Sequence, residues 1–266
     1  TNLKEEYDAY RNRQYDTLAG ELRKALNMEL IYKVLGLEGR KESVFLEDKR
    51  TTEYQMHTGH IQLAQLLPAE IENRSLESIQ DELAAMGKIL DPVQDLLIRR
   101  AIHTTADFDY ADNLVFSEGA VEAGLNALRE GAVIITDTNR AWSGINKKKL
   151  ANLGGEAVCF MADESVAARA AASGSTRAVA SMEKAAELYG NASRPCIFAI
   201  GNAPTALVRL YELVQEGRIS PALIIGAPVG FVNVVPSKEL ILTLPHTPYI
   251  VARGRKGGSN VAAALG

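Results

Sequence analysis

His103 is the residue whose type and setting best suit proton-transfer chemistry. It is one of four histidines in the chain, and it lies between the basic pair Arg99-Arg100 and a run of hydroxyl and acidic residues, 104–109. Histidine titrates nearer neutral pH than other side chains and therefore commonly carries protons in catalysis. If residues 92–102 are helical, the imidazole shares a face with at least one guanidinium. A histidine at a helix C-terminus is also a common structural feature, and spacing alone slightly favours that role.

The elements that must position His103 follow from hydrophobic periodicity. Ser75 predicts the N-cap of a helix reaching about residue 87, and Asp91-Pro92 predicts the start of the helix that ends at His103. Amphipathic segments at 175–189 and 205–216 predict further helices. They alternate with apolar runs at 113–117, 132–137, 156–161, 196–201, 222–226 and 249–253. This alternation predicts an α/β fold with a parallel, doubly wound sheet covered by helices on both faces, a three-layer αβα arrangement.

The first 58 residues differ in character from the rest. They are highly charged, with both signs mixed, and their apolar residues follow a helical period at 18–26 and 30–35. Residues 43–56 could form a short hairpin, and a metal role for His57 and His60 would need a third ligand. We therefore predict a helical N-terminal extension over 1–58 and an α/β domain over 59–266.

Composition limits the kinds of partner. The net charge of −4 and the isoelectric point near 5.7 argue against a nucleic-acid partner, which normally leaves a basic footprint. Cys159 and Cys196 lie in apolar runs without metal-ligand spacing, which predicts buried free thiols. The longest apolar stretch, 223–235, contains Pro228 and two glycines and is too short to span a bilayer. These features predict a soluble, cytoplasmic protein without a membrane partner.

The loops that follow the predicted strands are the expected place for a ligand, because open parallel sheets bind ligands beyond the carboxyl ends of their strands. They begin at Asp137, Asp163, Gly201, Gly226 and Gly254, and three of them are rich in glycine. The last, Arg255-Lys256-Gly257-Gly258, places two cations before a predicted helix start at Ser259, which suits carboxylates or phosphates. No nucleoside-triphosphate loop, dinucleotide turn or nucleophile elbow is present. The residues alone predict an anion-binding α/β site with one proton carrier.

Several motifs, taken together and in order, resemble the precorrin-8X methylmutase family. They run from about Pro68 to Ala264 and comprise the segments 68–75, 102–108, 226–233, 237–239 (Ser-Lys-Glu) and 253–259. The stretch after Asp137 departs from the family pattern, with Arg140 and Ala141 where Met-Val is usual. Arg140 is either another carboxylate contact or an exposed helix residue.

The resemblance implies migration of a methyl group from carbon 11 to carbon 12 of a corrin precursor, giving hydrogenobyrinic or cobyrinic acid in cobalamin biosynthesis. It implies no dissociable cofactor, no bound metal and a homodimer with its site near the subunit interface. In this family the histidine that matches His103 protonates the macrocycle. The substrate carries many carboxylates, and the residues implied to bind it are Ser75, Arg99, Arg100, Thr105, Asp137, Asn202, Gly230, Arg255, Lys256 and Gly257.

Two other functions remain compatible with these residues. One is a non-catalytic tetrapyrrole carrier that keeps the pocket and docks a partner through the N-terminal extension. The other is an enzyme acting on a phosphorylated metabolite through the 255–258 loop. The sequence does not indicate whether the substrate contains cobalt.

Overall fold

The computed structural model describes residues 55–58, 61–64 and 68–266, with side chains from residue 70 onward. The chain divides into two units, Thr1–Glu70 and Ile71–Gly266. In the first, strands β1 (Gln55–Thr58) and β2 (Ile61–Ala64) pair antiparallel. The helices predicted within 18–35, and all but the last two residues of the predicted 43–56 hairpin, lie outside the described residues, as does His60.

A six-stranded sheet organises the second unit. Its strands, each inside one of the six predicted apolar runs, are β3 (Leu114–Phe116), β4 (Val133–Thr136), β5 (Glu156–Cys159), β6 (Cys196–Ile200), β7 (Leu223–Gly226) and β8 (Tyr249–Ala252). Their order is β3-β8-β7-β6-β4-β5. The prediction of an α/β sheet is confirmed, but its all-parallel form is wrong at one edge, where β3 runs antiparallel to β8. A short apolar run carries no information about strand direction, which explains the error.

Helices cover both faces of this sheet. They are α1 (Pro68–Ala85), α2 (Asp95–Thr105), α3 (Tyr110–Asn113), α4 (Ala120–Arg129), α5 (Asn139–Gly144), α6 (Lys147–Asn152), α7 (Glu164–Ser173), α8 (Arg177–Tyr189), α9 (Pro204–Gln215), α10 (Val234–Leu242) and α11 (Ser259–Leu265). Within the described residues, no helix has the length and apolar character needed to cross a membrane.

The alternation of side chains along each strand creates two cores. Ile134, Ile197 and Ile225 pack on one face with α1, α2, α4 and α11, whereas Phe198 and Ile224 pack on the other with α8, α9 and α10. Burial of both faces confirms the three-layer prediction and explains why these strands are apolar at nearly every position. Both cysteines are free thiols; Cys196 is buried as predicted, but Cys159 is only partly buried.

Two helices have boundaries that differ from those predicted, and both helices carry residues of the site. Ser75 is not an N-cap, because α1 begins seven residues earlier at Pro68, where a proline costs no intrahelical hydrogen bond. The hydroxyl of Ser75 is thus free to contact another helix. Regular α2 begins at Asp95 rather than Pro92, and it continues past His103 to Thr105, after which Ala106 adopts a left-handed conformation at φ 53°.

Candidate active site

The imidazole of His103 lies in the last turn of α2 and is exposed. Its Nδ1 atom is 2.7 Å from the hydroxyl oxygen of Ser75, on the neighbouring helix α1. The tautomer of the ring sets which of the two groups donates this hydrogen bond, and in either case Ser75 leaves Nε2 unengaged. Within residues 71–266, Nε2 has no protein partner. The pair therefore holds an imidazole whose second nitrogen can reach a ligand.

The two arginines before His103 are both engaged with the protein. Arg99 forms an ion pair with Asp95 one turn earlier, with its Nε 2.9 Å from the carboxylate, and donates to the carbonyl of Leu76 at 3.4 Å. Arg100 is 46% exposed; it donates to the carbonyl of Ala264 at 3.3 Å and lies 3.6 Å from Glu72. Arg99 thus links α2 to α1 on the side where Ser75 contacts His103. Arg100 is the more accessible of the two cations.

The chain that follows His103 is tied to the loop after β8. The Nζ of Lys256 lies 2.6 Å from Asp107 and 2.5 Å from Asp109. The hydrogen bond from Lys256 lowers the pKa of Asp107, and the two carboxylates raise the pKa of Lys256 to about 12. The hydroxyl of Thr105, in the last turn of α2, donates to the carbonyl of Ala101 at 2.8 Å. Lys256 therefore fixes the position of His103 relative to the cationic loop.

Backbone hydrogen bonds join the loops after β7 and β8. The Gly230 N–H donates to the Arg255 carbonyl at 3.2 Å, and the Gly258 N–H donates to the Ala227 carbonyl at 2.8 Å. A Cβ on Gly257 would lie 2.2 Å from the Ala227 carbonyl oxygen, so only glycine permits this close approach. Gly230 and Gly257 thus bring the two loops together at the carboxyl edge of the sheet.

Lys238 supports the cationic loop from inside the protein. Its side chain, on α10, is fully buried, and its Nζ donates to the carbonyls of Gly254 at 2.8 Å and Lys256 at 2.7 Å. Burial lowers the pKa of Lys238 to about 8. These two carbonyls flank Arg255, so the buried ammonium fixes the backbone that carries the exposed guanidinium.

Asp137 is fully buried at the end of β4. Its carboxylate accepts hydrogen bonds from the backbone N–H groups of Gly201, Asn202 and Ala203 at 2.9, 2.8 and 2.7 Å. Burial raises the pKa of Asp137, and the three donors oppose that effect. Since the carboxylate occupies the amides that precede α9, Asp137 shapes the loop that presents the exposed Asn202 rather than reaching a ligand itself.

The predicted site residues other than Asp137 form two groups. The first group lies on helices α1 and α2 and comprises Ser75, Arg99, Arg100, His103 and Thr105. The second group lies in the loops that follow strands and comprises Asn202, Gly230, Arg255, Lys256 and Gly257. Lys256 joins the two groups through its ion pair with Asp107, just after α2. Arg140 is exposed on α5.

Sequence interpretation missed the role of Lys238 in supporting the cationic loop, although the motif Ser-Lys-Glu at 237–239 was recognised. A single lysine within the apolar run of α10 was the available signal. Asp107 and Asp109 were likewise seen only as neighbours of His103, because their partner lies far along the chain.

Fold and site together are those of an α/β enzyme with an exposed histidine near loops suited to an anionic ligand. The sequence model of the precorrin-8X methylmutase family matches residues 70–265. The chain belongs to this family.

Individual relatives agree with the family assignment. The chain is 43% identical over 201 residues to cobalt-precorrin-8 methylmutase of Salmonella typhimurium, covering 74% of this chain and 92% of that protein. It is 40% identical to precorrin-8X methylmutase of Pseudomonas aeruginosa, covering 73% and 90% respectively. The solved precorrin-8X methylmutase of Thermus thermophilus is similar in structure, with a TM-score of 0.66 and 40% identity over 73% of this chain and 92% of that one.

Proposed function

We propose that this protein is an isomerase that moves a methyl group from carbon 11 to carbon 12 of precorrin-8X or cobalt-precorrin-8 in cobalamin biosynthesis. The observation that carries the mechanism is the exposed imidazole of His103, held at Nδ1 by Ser75 at 2.7 Å. Relatives with at least 40% identity carry the names of both substrates, so the proposal includes both.

His103 is the proton donor in this mechanism. The protonated imidazole passes its Nε2 proton to the macrocycle near the migrating methyl group and becomes neutral, while its Nδ1–H donates to the hydroxyl of Ser75. An isomerisation leaves the composition of the substrate unchanged, so the macrocycle loses one proton in turn, and Nε2 takes up a proton to restore the protonated imidazole. No electron transfer is needed for this balance.

Cations and amides around the loops hold the carboxylates of the substrate. Arg255 and Arg100 are exposed and can form charge-assisted hydrogen bonds to carboxylates. Asn202 adds an exposed amide side chain. Lys256 is already ion-paired with Asp107 and Asp109, so it contributes chiefly by positioning the segment that follows His103.

His103→Ala tests the catalytic assignment. Purified wild-type protein incubated with precorrin-8X, and separately with cobalt-precorrin-8, should give an isomer of unchanged mass and altered visible absorbance. His103→Ala should lose this turnover and still bind the corrinoid, as measured by absorbance titration. His246→Ala, a change of an exposed histidine on the loop before β8, serves as the matched control. Unchanged methyl migration in His103→Ala would rule out this mechanism, and a wild type that binds without converting would favour a carrier.

We further propose that the protein is a homodimer that associates near the site. Met86, Ile89, Val93 and Leu96 are 55, 98, 64 and 52% exposed between the end of α1 and the start of α2. Clustered apolar exposure of this kind marks interaction surfaces. The same two helices carry Ser75 and His103, so association here places the site close to the interface. Sedimentation velocity should show a dimer for the wild type and for the control Leu188→Glu, and a monomer for Ile89→Glu; a monomeric wild type would contradict the proposal.

A further inference from the structure

Three apolar side chains are exposed in the loop between β7 and α10. Val229, Phe231 and Val232 are 47, 84 and 78% exposed and are called here the Phe231 surface. Single exposed apolar residues are common on proteins, but three within four positions, beside a cationic loop, are typical of a binding surface.

The backbone around Phe231 is fixed, so its exposure is not a consequence of a loose loop. On one side, Gly230 has φ 143° and its N–H is bonded to the Arg255 carbonyl. On the other, Asn233 adopts a left-handed conformation at φ 58°, and Val234 is buried. A non-glycine residue with positive φ is uncommon and is retained where the surrounding structure requires it. The loop therefore holds the phenyl ring toward solvent.

A cation lies against the exposed ring. The guanidinium carbon of Arg255 is 5.4 Å from the centroid of Phe231, within the range of a cation–π contact. Arg255 is itself exposed, so its N–H groups remain accessible to a ligand. Because Lys238 binds the carbonyls on both sides of Arg255, the guanidinium is held beside the ring by a buried support.

We propose that Phe231 is a specificity-determining residue that packs against the substrate macrocycle while Arg255 binds a carboxylate at the edge of that macrocycle. This inference rests on the proposed function. A broad conjugated ring with peripheral carboxylates matches an apolar side chain and an adjacent cation, both in chemistry and in arrangement. Neither a small phosphorylated metabolite nor a simple carboxylate has an apolar region that would pack against the Phe231 surface.

The loop that carries Arg255 is joined to the segment that follows His103. Lys256, which follows Arg255 directly, lies 2.6 Å from Asp107, four residues after His103. In this proposal, one ligand of the breadth of a tetrapyrrole contacts both the phenyl ring and the imidazole. Phe231 contributes to the binding of the macrocycle, and the proton transfer itself is left to His103.

Absorbance titration with the corrinoid product and steady-state kinetics test this role. Phe231→Ala should raise the product Kd and the KM by about tenfold, since it removes the burial of one aromatic side chain, and should change kcat by less than about twofold. Phe231→Trp should restore binding, because it supplies another aromatic face. Leu188→Ala, which truncates a 51% exposed side chain on α8, should leave both constants unchanged.

Two results would overturn the inference. One is that the wild type converts its substrate while Phe231→Ala shows the same product Kd and the same KM as the wild type. The other is a loss of binding in Phe231→Ala accompanied by dissociation of the dimer in sedimentation velocity, because the Phe231 surface would then serve a second copy of the chain. A wild type that converts neither substrate would instead remove the proposed function, and this inference with it.

Discussion

The buried ammonium of Lys238 should make the stability of the protein depend on pH, and Lys238→Met should remove that dependence. Burial lowers the pKa of Lys238 from 10.5 to about 8. The unfolded chain exposes the amine and restores its ordinary pKa. Between about pH 8 and 10.5, the unfolded chain therefore binds more protons than the native protein, so the free energy of unfolding rises with pH.

The difference between these two pKa values sets the size of the effect. Each pH unit within the window adds about 1.4 kcal/mol to the free energy of unfolding, and the whole window adds about 3 kcal/mol. Below pH 8 both states are protonated, and the contribution of Lys238 is constant. The contribution of Lys256 to the free energy of unfolding changes with pH in the opposite direction. Its pKa is raised from 10.5 to about 12, so its stabilising contribution is lost only above that window.

Urea unfolding followed by fluorescence of Trp142, the single tryptophan, measures this effect. The free energy of unfolding of the wild type minus that of Lys238→Met should be constant below about pH 8 and should increase up to about pH 10. Lys238→Arg is the matched control, because its guanidinium stays protonated throughout and adds no slope of its own. Parallel pH curves for wild type and Lys238→Met would refute the desolvation of Lys238.

Two further substitutions test the support of the site. Ser75→Ala should lower kcat about tenfold with little change in KM, because the imidazole of His103 loses its hydrogen-bond partner. Ser78→Ala, on the exposed side of α1, is the control. An unchanged kcat in Ser75→Ala would argue against positioning of the imidazole by Ser75. Asp137→Asn should lower the free energy of unfolding by about 1.5–3 kcal/mol in urea titrations, since an amide oxygen replaces only part of a carboxylate that accepts three backbone bonds; unaltered stability would contradict that structural role.

Local patterns predicted most of the fold. Each of the six strands carries enough consecutive apolar residues to be recognised, since both faces of the sheet are buried. The direction of β3 could not be predicted, because it depends on pairing with β8 far along the chain. The start of α1 was misplaced because Ser75 resembles a cap, although Pro68 carried an equally good signal for a first helical position.

The residues of the candidate site could be proposed from the sequence, but their contacts could not. His103, Arg255 and the glycine-rich loops follow from residue type and from position after strands. The pairing of Ser75 with His103 depends on how α1 packs against α2, and that of Lys256 with Asp107 depends on two loops that meet in space. No local pattern encodes such distances.

The antiparallel pairing of β3 with β8 also bears on the order of folding. Leu114 is opposite Ala252, so β3 gains its hydrogen-bonded neighbour only after nearly all of the second unit has been synthesised. Pairing between such distant segments is slow, because a long loop must close before any contact forms. The strands β4, β6 and β7 lie closer in sequence and can assemble sooner. Helix α2, which carries His103, also contacts the last helix through the bond from Arg100 to the Ala264 carbonyl, so it docks late in folding, and a partly folded chain with a complete central sheet would still lack an ordered His103.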